Sequence, residues 1–327
     1  MSQREIEVRP YRGRFAPSPT GELHLGSVAT ALFAAARARR AGGALVLRVE
    51  DLDAPRVVPG SEASQLDDLA WLGIVFDEGP REGGPARPYR QSERTALYAA
   101  AIDALARAGH TYLCDCSRAE IARVASAPHE GEEGPRYPGT CRPNGMAARD
   151  FRRPPAVRLA VPTGREVRWE DAVTGPAARL ATDVVSDFVL RRADGAYAYQ
   201  LATLVDDVAM RITEVVRGAD LAPSAPKQAL LAELLGACAP RYLHVPMLTG
   251  ADGDRLAKRA GGATVRGERA RGRAPGELLR SIARAYGQDV APAAAEPSAV
   301  LDSIAAALDC ARFPTSGVSA SSIGARA

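Results

Sequence analysis

Arg14-Phe15-Ala16-Pro17-Ser18-Pro19-Thr20-Gly21-Glu22-Leu23-His24-Leu25-Gly26-Ser27 decides how the rest of the chain is read. A short strand closes on a rigid Pro-Ser-Pro turn, and His24-Leu25-Gly26-Ser27 then opens a helix through the Ala-rich segment Val28 to Ala41. A strand that turns sharply into a helix aims backbone N–H groups, and here a histidine, at an anion. Working outward, the run Ala44 to Val49 reads as a second strand ending in Glu50-Asp51, and Ser61 to Leu72 as a second helix. This βαβα order predicts an α/β fold with ligands at the carboxyl ends of its strands.

The 327 residues, 46% of them hydrophobic, suit two or three modules with real cores. A net charge of +3 does not announce nucleic acid by itself, although Arg37, Arg39 and Arg40, or Arg266 to Arg273, could meet phosphates. Solvated helix faces and loops account for each cluster equally well. No apolar run reaches membrane-spanning length, and Met1-Ser2-Gln3-Arg4-Glu5 lacks a signal peptide's apolar core, so a cytoplasmic protein without a membrane partner is expected; a monomer is expected as well. Five cysteines argue against a disulfide framework and leave metal binding or plain burial. Among 42 basic residues only Lys227 and Lys258 are lysine, which suggests a need for a compact ammonium where one remains, with chance survival the alternative for Lys227.

Gly79 to Pro88 reads as a loop and Gln91 to Ala108 as a helix. From Gly109 to about Ala193 the character changes: cysteines appear, Pro and Gly are dense, and short strands (Ala156 to Val161, Glu166 to Trp169, Phe188 to Arg191) replace long helices. We read residues 109–193 as a subdomain inserted between two halves of the α/β domain, 1–108 and 194–262. In the second half Tyr199 to Val208 and Thr213 to Val216 are expected as strands and Lys227 to Leu235 as a helix. Residues 263–327 should carry two helices, near Pro275 to Tyr286 and Ala299 to Leu308, and a frayed Ser/Gly-rich tail from Thr315.

The opening stretch, together with Leu47-Arg48-Val49-Glu50-Asp51-Leu52-Asp53, closely resembles the catalytic domain of glutamate-specific class I aminoacyl-tRNA synthetases, in which His-Leu-Gly-Ser is the first ATP-binding motif. Gly253-Asp254-Arg255-Leu256-Ala257-Lys258-Arg259 stands where that family carries its Lys-Met-Ser-Lys-Ser lid over the phosphates. Here the first lysine is Arg255 and the serines are Ala257 and Arg259, while the second lysine is kept as Lys258. The resemblance implies a Rossmann-type catalytic domain, ATP with Mg²⁺ placed by His24, Gly26, Leu256 and Lys258, and catalytic roles for His24 and Lys258. Amino-acid activation builds charge on phosphate oxygens, so positioned donors and cations are what it needs. The same resemblance assigns L-glutamate to Arg14, Phe15, Ala16, Pro17, Ser18, Glu50, Tyr199 and Arg217. Glu50 would meet the ammonium, and the two arginines the carboxylates, each by two parallel N–H bonds. Which arginine takes which carboxylate stays open. So does a swap of Tyr199 for Tyr197, two residues away on the same expected strand face. A structural ion pair of Arg217 with Asp220 or Glu214 is the competing use of that arginine.

Cys114-Asp115-Cys116 and Tyr137-Pro138-Gly139-Thr140-Cys141 place three thiols on loops, a reasonable core for one structural zinc ion. Within the family, the members that glutamylate queuosine in tRNA(Asp) resemble this pattern, with Tyr137 in the place of the fourth ligand; His129 is the other candidate. That branch lacks the large helical module that reads anticodons, and the short remainder after Gly262 has no room for one. The implied partner is therefore tRNA(Asp) carrying queuosine, held by its anticodon arm. The alternatives are a short synthetase charging the 3′ end of tRNA(Glu), and a non-catalytic glutamate- or tRNA-binding paralogue.

Overall fold

The computed structural model describes residues 10–124, 136–249 and 263–324. The first part of the chain runs β1 (Arg12–Phe15), α1 (Leu25–Arg40), β2 (Ala44–Leu47), α2 (Ser61–Trp71), α3 (Thr95–Arg107), β3 (Thr111–Cys114) and α4 (Arg118–Val124). It continues through β4 (Ala156–Leu159), β5 (Glu166–Asp171), β6 (Gly175–Leu180), α5 (Ala181–Val184) and β7 (Val189–Arg191). The remainder is α6 (Tyr199–Ala209), β8 (Glu214–Gly218), α7 (Ser224–Leu234), β9 (Arg241–Val245), β10 (Leu248–Thr249), α8 (Val265–Ala270), α9 (Pro275–Ala285), α10 (Pro297–Ala307) and β11 (Val318–Ser319).

Six strands form the main sheet in the order β2-β1-β8-β9-β5-β6. Every pair is parallel except β5 with β6. Because side chains alternate along a strand, register fixes which residues share a face. Arg14 lies beside Val46 and Val215, Val215 beside Tyr242, Tyr242 beside Asp171, and Arg217 beside His244. That face carries the polar groups described below. The opposite face, with Phe15, Leu45, Leu47, Val216 and Leu243, packs on the Ala-rich helix α1, whose small side chains let it lie close to the sheet.

Two expectations about domains change. β5 and β6 belong to the main sheet and only β3, β4 and β7 make the small antiparallel one, so residues 109–193 do not segregate as one inserted body. Val167 is fully buried beneath α7, and that apolar contact draws the hairpin onto the main sheet. The C-terminal helices likewise share the central core: Phe33 of α1 meets Tyr286 and Phe313 edge-on, with ring centroids 5.5 and 4.9 Å away. The tail is not frayed through residue 324. Val318, Ala320 and Ile323 are buried, and β11 pairs with β10.

The larger correction is α6. Tyr199 to Val208 is helical, and four of its polar residues, Tyr199, Thr203, Asp206 and Asp207, fall at i, i+4, i+7 and i+8, one face of a helix. Tyr197 and Tyr199 therefore do not share a strand face. Tyr197 sits in the preceding segment with its ring against Tyr98, 5.3 Å between centroids.

Candidate active site

The carboxyl ends of β1 and β8, with the segment following β2, open into one cavity of about 530 Å³. All eight residues expected around the amino acid, Arg14 to Ser18 with Glu50, Tyr199 and Arg217, line it, and so does His24. A neighbouring cavity of about 280 Å³ shares His24, Ser27, Gly218 and Asp220 and adds Gly26, Met247 and Leu248. His24 thus stands where the two meet. Gly218 keeps the passage between them: a Cβ there would come 2.5 Å from Asp220 Oδ1 and 3.3 Å from Met247 Sδ. Leu256 and Lys258, like His129, lie outside the described residues.

Beneath the first cavity lies a charge network that the sequence reading missed. Arg48 is fully buried; it donates to Asp207 Oδ1 at 2.6 Å and Glu50 Oε1 at 3.0 Å and lies 3.7 Å from Asp206 Oδ2. Arg14 donates through Nε to the same Asp207 oxygen at 3.3 Å and through Nη1 to the Val216 carbonyl at 3.5 Å. Burial is the largest influence on Asp207 and pushes its carboxyl up, but Arg48 and Arg14 together outweigh it and hold the group below the usual range. Asp206 accepts from Arg94, Gln91 and Tyr98. Glu50 is fixed through Oε1 by Arg48 and by Thr203 at 3.2 Å, while Oε2 takes no bond among the described residues. The signal for this network was two adjacent aspartates in the otherwise apolar Leu204-Val205-Asp206-Asp207-Val208, legible only once that run is read as a helix.

Arg217 is bound differently. Its Nε donates to His244 Nε2 at 3.0 Å and Nη1 to Gln228 Oε1 at 2.7 Å, and its guanidinium lies 4.7 Å over the Tyr242 ring. Nη2 is buried and has no hydrogen-bond partner among the described residues. Glu214, one carboxylate weighed as its partner, is instead clamped by Arg37 and by Tyr11. Tyr199, the first residue of α6, faces the same space, and burial raises its phenol.

The turn that carries Ser18 is braced from α2. Ser61 Oγ accepts from the Gly21 N–H at 2.9 Å and donates to its carbonyl at 2.6 Å, while Gln65 Nε2 donates to the carbonyls of Ser18 and Gly21. His24 is the N-cap residue of α1, in extended backbone conformation, and makes no side-chain cap bond. The first turn of α1 contains no acidic residue, so its positive end faces the cavities uncompensated by its own helix.

A second centre lies at the end of β3. The sulfurs of Cys114, Cys116 and Cys141 all lie within 4.8 Å of one another, with Cys116 and Cys141 3.6 Å apart. The Tyr137 hydroxyl sits among them, 3.3 Å from Cys114 Sγ and 3.7 Å from Cys116 Sγ, and accepts the Cys141 N–H at 2.9 Å. Two thiolates at ~2.3 Å from a tetrahedral ion stand about 3.8 Å apart, so the donors fit such an ion. Burial pushes the Cys116 thiol up to about 11, and burial with the Cys114 contact raises the Tyr137 phenol as well. A bound divalent cation reverses that preference by favouring the deprotonated ligands. Arg149 reaches Cys141 Sγ at 3.5 Å and Arg158 lies 4.2 Å over the Tyr137 ring, placing positive charge beside an anionic ligand set.

Comparison with known proteins places this geometry. The family described as tRNA synthetases class I (E and Q), catalytic domain, matches residues 10–291. The glutamyl-Q tRNA(Asp) synthetase of Symbiobacterium thermophilum is 45% identical over 307 residues, 92% of this chain and 93% of that one. Glutamate–tRNA ligase 1 of Halorhodospira halophila is 46% identical over 278 residues, 83% of this chain and 57% of that one. The crystal structure of the glutamate-tRNA synthetase of Elizabethkingia anophelis superposes with a TM-score of 0.78 at 30% identity, covering 96% of this chain and 69% of its own. With its nucleotide-type sheet, its two joined cavities and these matches, the chain belongs to the catalytic-domain family of the class I tRNA synthetases for glutamate and glutamine.

Proposed function

We propose that this protein is a ligase that activates L-glutamate with ATP, without needing tRNA, and passes the glutamyl group to queuosine at the wobble position of tRNA(Asp). The observation that carries the reading is the match across 93% of a relative named glutamyl-Q tRNA(Asp) synthetase. The pocket chemistry supports it. Glutamate brings two carboxylates and one ammonium, and the larger cavity offers Arg14, Arg217 and Glu50. The unpartnered Nη2 of Arg217 is a buried donor that a carboxylate would satisfy. In the first step a glutamate α-carboxylate oxygen attacks the α-phosphorus of ATP, brought in with Mg²⁺, and pyrophosphate leaves. His24, at the positive end of α1, donates to the phosphate oxygens as their charge grows. Lys258, with Leu256 in the same segment, acts from the lid position. Gly26 and its neighbours hold the adenosine side in the smaller cavity. In the second step a hydroxyl of queuosine's cyclopentene diol attacks the glutamyl carbonyl and AMP leaves. That diol stands in for the terminal ribose used by ordinary synthetases.

Cys114, Cys116, Cys141 and Tyr137 would hold one zinc ion, which would tie the ends of β3 and of the loop before β4 together. The test of acceptor is direct. Labelled glutamate should appear on tRNA(Asp) carrying queuosine and stay with the anticodon fragment after cleavage, while tRNA(Asp) with unmodified guanosine at that position accepts none. Label at a 3′ end would favour charging of tRNA(Glu). Absence of glutamate-dependent pyrophosphate exchange would leave a binding protein.

A further inference from the structure

Arg217 is held on its sheet side by a relay. Arg217 on β8 is the register partner of His244 on β9, and Asp171 at the end of β5 is the register partner of Tyr242, two residues before His244 on the same face. The three side chains therefore form a line: Asp171 Oδ2 to His244 Nδ1 at 2.5 Å, and His244 Nε2 to Arg217 Nε at 3.0 Å. All three are buried. Chemistry fixes every proton in this line. An arginine Nε–H can only donate, so His244 Nε2 must be an acceptor, and the ring proton must sit on Nδ1 facing the carboxylate. A doubly protonated imidazole would present N–H to N–H. Burial and the neighbouring Arg217 both push His244 toward the neutral form, against the pull of Asp171.

We propose that Asp171 and His244 act as a tautomer clamp, two positioning residues that hold the Arg217 guanidinium edge-on so that Nη2 faces the amino-acid carboxylate, and that they thereby set affinity for glutamate. The proposal rests on the reading that Arg217 binds a carboxylate of the substrate. Gln228 fixes Nη1 and Tyr242 supports the guanidinium plane, so the clamp supplies the remaining restraint, at Nε.

Asp171→Asn tests it, because the backbone dictates how the amide must lie. Oδ1 of Asp171 accepts the N–H groups of Val173 at 2.8 Å and Thr174 at 3.0 Å. An asparagine has to keep its oxygen there, which turns its NH₂ toward His244 Nδ1. The imidazole then carries its proton on Nε2 and meets Arg217 donor to donor. The expected result is a rise in KM for glutamate of roughly tenfold or more, the scale on which a mispaired buried donor degrades recognition, with KM for ATP unchanged. In ¹⁵N-histidine spectra, His244 should switch from the Nδ1–H to the Nε2–H tautomer; the chain has four histidines, so the loss of one set in His244→Gln assigns it.

His244→Gln puts an amide oxygen near the place of Nε2 and should keep KM for glutamate within a few-fold, whereas His244→Leu should raise it as Asp171→Asn does. An unchanged KM in Asp171→Asn, an unswitched tautomer, or equal KM values for His244→Gln and His244→Leu would each overturn the clamp. If Asp171→Asn does not fold, the Gln/Leu pair decides alone. Arg217→Gln separates the two levels: unchanged glutamate binding there sinks the pocket reading itself, while loss there with normal Asp171→Asn and His244→Leu enzymes sinks only the clamp.

Discussion

Asp207→Asn is the substitution whose consequences the structure specifies most fully. Among the described residues Asp207 is the carboxylate that Arg14 and Arg48 share, and the asparagine keeps its size while removing its charge. Both arginines bond the same Oδ1, which an asparagine oxygen can replace as an acceptor; Arg48 would still face the charges of Glu50 at 3.0 Å and Asp206 at 3.7 Å, but Arg14 would lose the carboxylate charge it faces. Taking one partner out of a buried ion pair costs about 3–5 kcal/mol. A chain of 327 residues unfolds with an entropy near 0.7 kcal/mol per kelvin, so melting should fall by roughly 4–7 °C at pH 7. Since Arg14 also lines the larger cavity, KM for glutamate should rise with it. The pH dependence has a definite sign. A carboxyl whose folded pKa is depressed gives its full stabilisation above the unfolded value, about 3.9, and loses it as pH falls through the folded one. The gap between wild type and Asp207→Asn should therefore be widest near neutrality and narrow on acidification below about pH 4. Thermal scans at several pH values, beside glutamate-dependent pyrophosphate exchange, read both effects, with the exposed Asp103→Asn as control. A melting shift under 1 °C at pH 7 with unaltered KM would refute the view that Asp207 organises the pocket floor.

His24→Ala should slow adenylate formation by about 10²-fold or more, the scale of one positioned donor to a developing charge, and a near-normal kcat in single-turnover activation would remove His24 from that role. Protein purified without chelator should carry one zinc per chain by elemental analysis. Tyr137→Phe should weaken its retention, and chelation should increase hydrogen exchange around β3 while the main sheet stays protected. Phe33→Ala should cost about 3–5 kcal/mol in denaturant titrations, because the fully buried ring joins α1 to Tyr286 and Phe313. A loss below 1 kcal/mol would mean that the C-terminal helices do not depend on that contact.

Much of the fold was legible because its signals are local. Pro17 and Pro19 mark the turn after β1, and alanines from Ala29 to Ala38 mark a helix that must lie flat on a sheet. The α6 segment was misread as a strand because Leu201, Ala202, Leu204 and Val205 make a short apolar run, which fits a buried strand as well as a helix. Tertiary packing decided it: as a helix the segment turns Tyr199, Thr203, Asp206 and Asp207 together toward β1 and β2. The hairpin β5–β6 was misassigned for a different reason, since nothing within Glu166 to Leu180 says which of two sheets it will join. Arg48 escaped notice because an arginine inside a strand-like run reads as an edge or solvent position, when here it is buried and surrounded by three carboxylates.

The two arginines of the cavity are not equivalent, and the difference bears on how glutamate would be told from glutamine. Arg14 already faces a carboxylate, Asp207, so part of its demand for negative charge is met before any ligand arrives. Arg217 donates to the imidazole of His244 and the amide of Gln228, acceptors that satisfy two of its N–H groups while supplying no full charge. These neutral partners hold its geometry, and on the proposed reading its electrostatic demand is left for a glutamate carboxylate. Glutamine can offer Arg217 a carbonyl oxygen but not the second oxygen or the charge. A pocket that leaves a buried donor unmet with the wrong ligand discriminates far more strongly than one that merely loses a contact. On this argument, replacing Gln228 with glutamate should weaken specificity more than it weakens folding: a protein carboxylate would answer the charge of Arg217, and the preference for glutamate over glutamine in pyrophosphate exchange should shrink by tenfold or more. An undiminished preference in Gln228→Glu would place the discrimination elsewhere in the cavity.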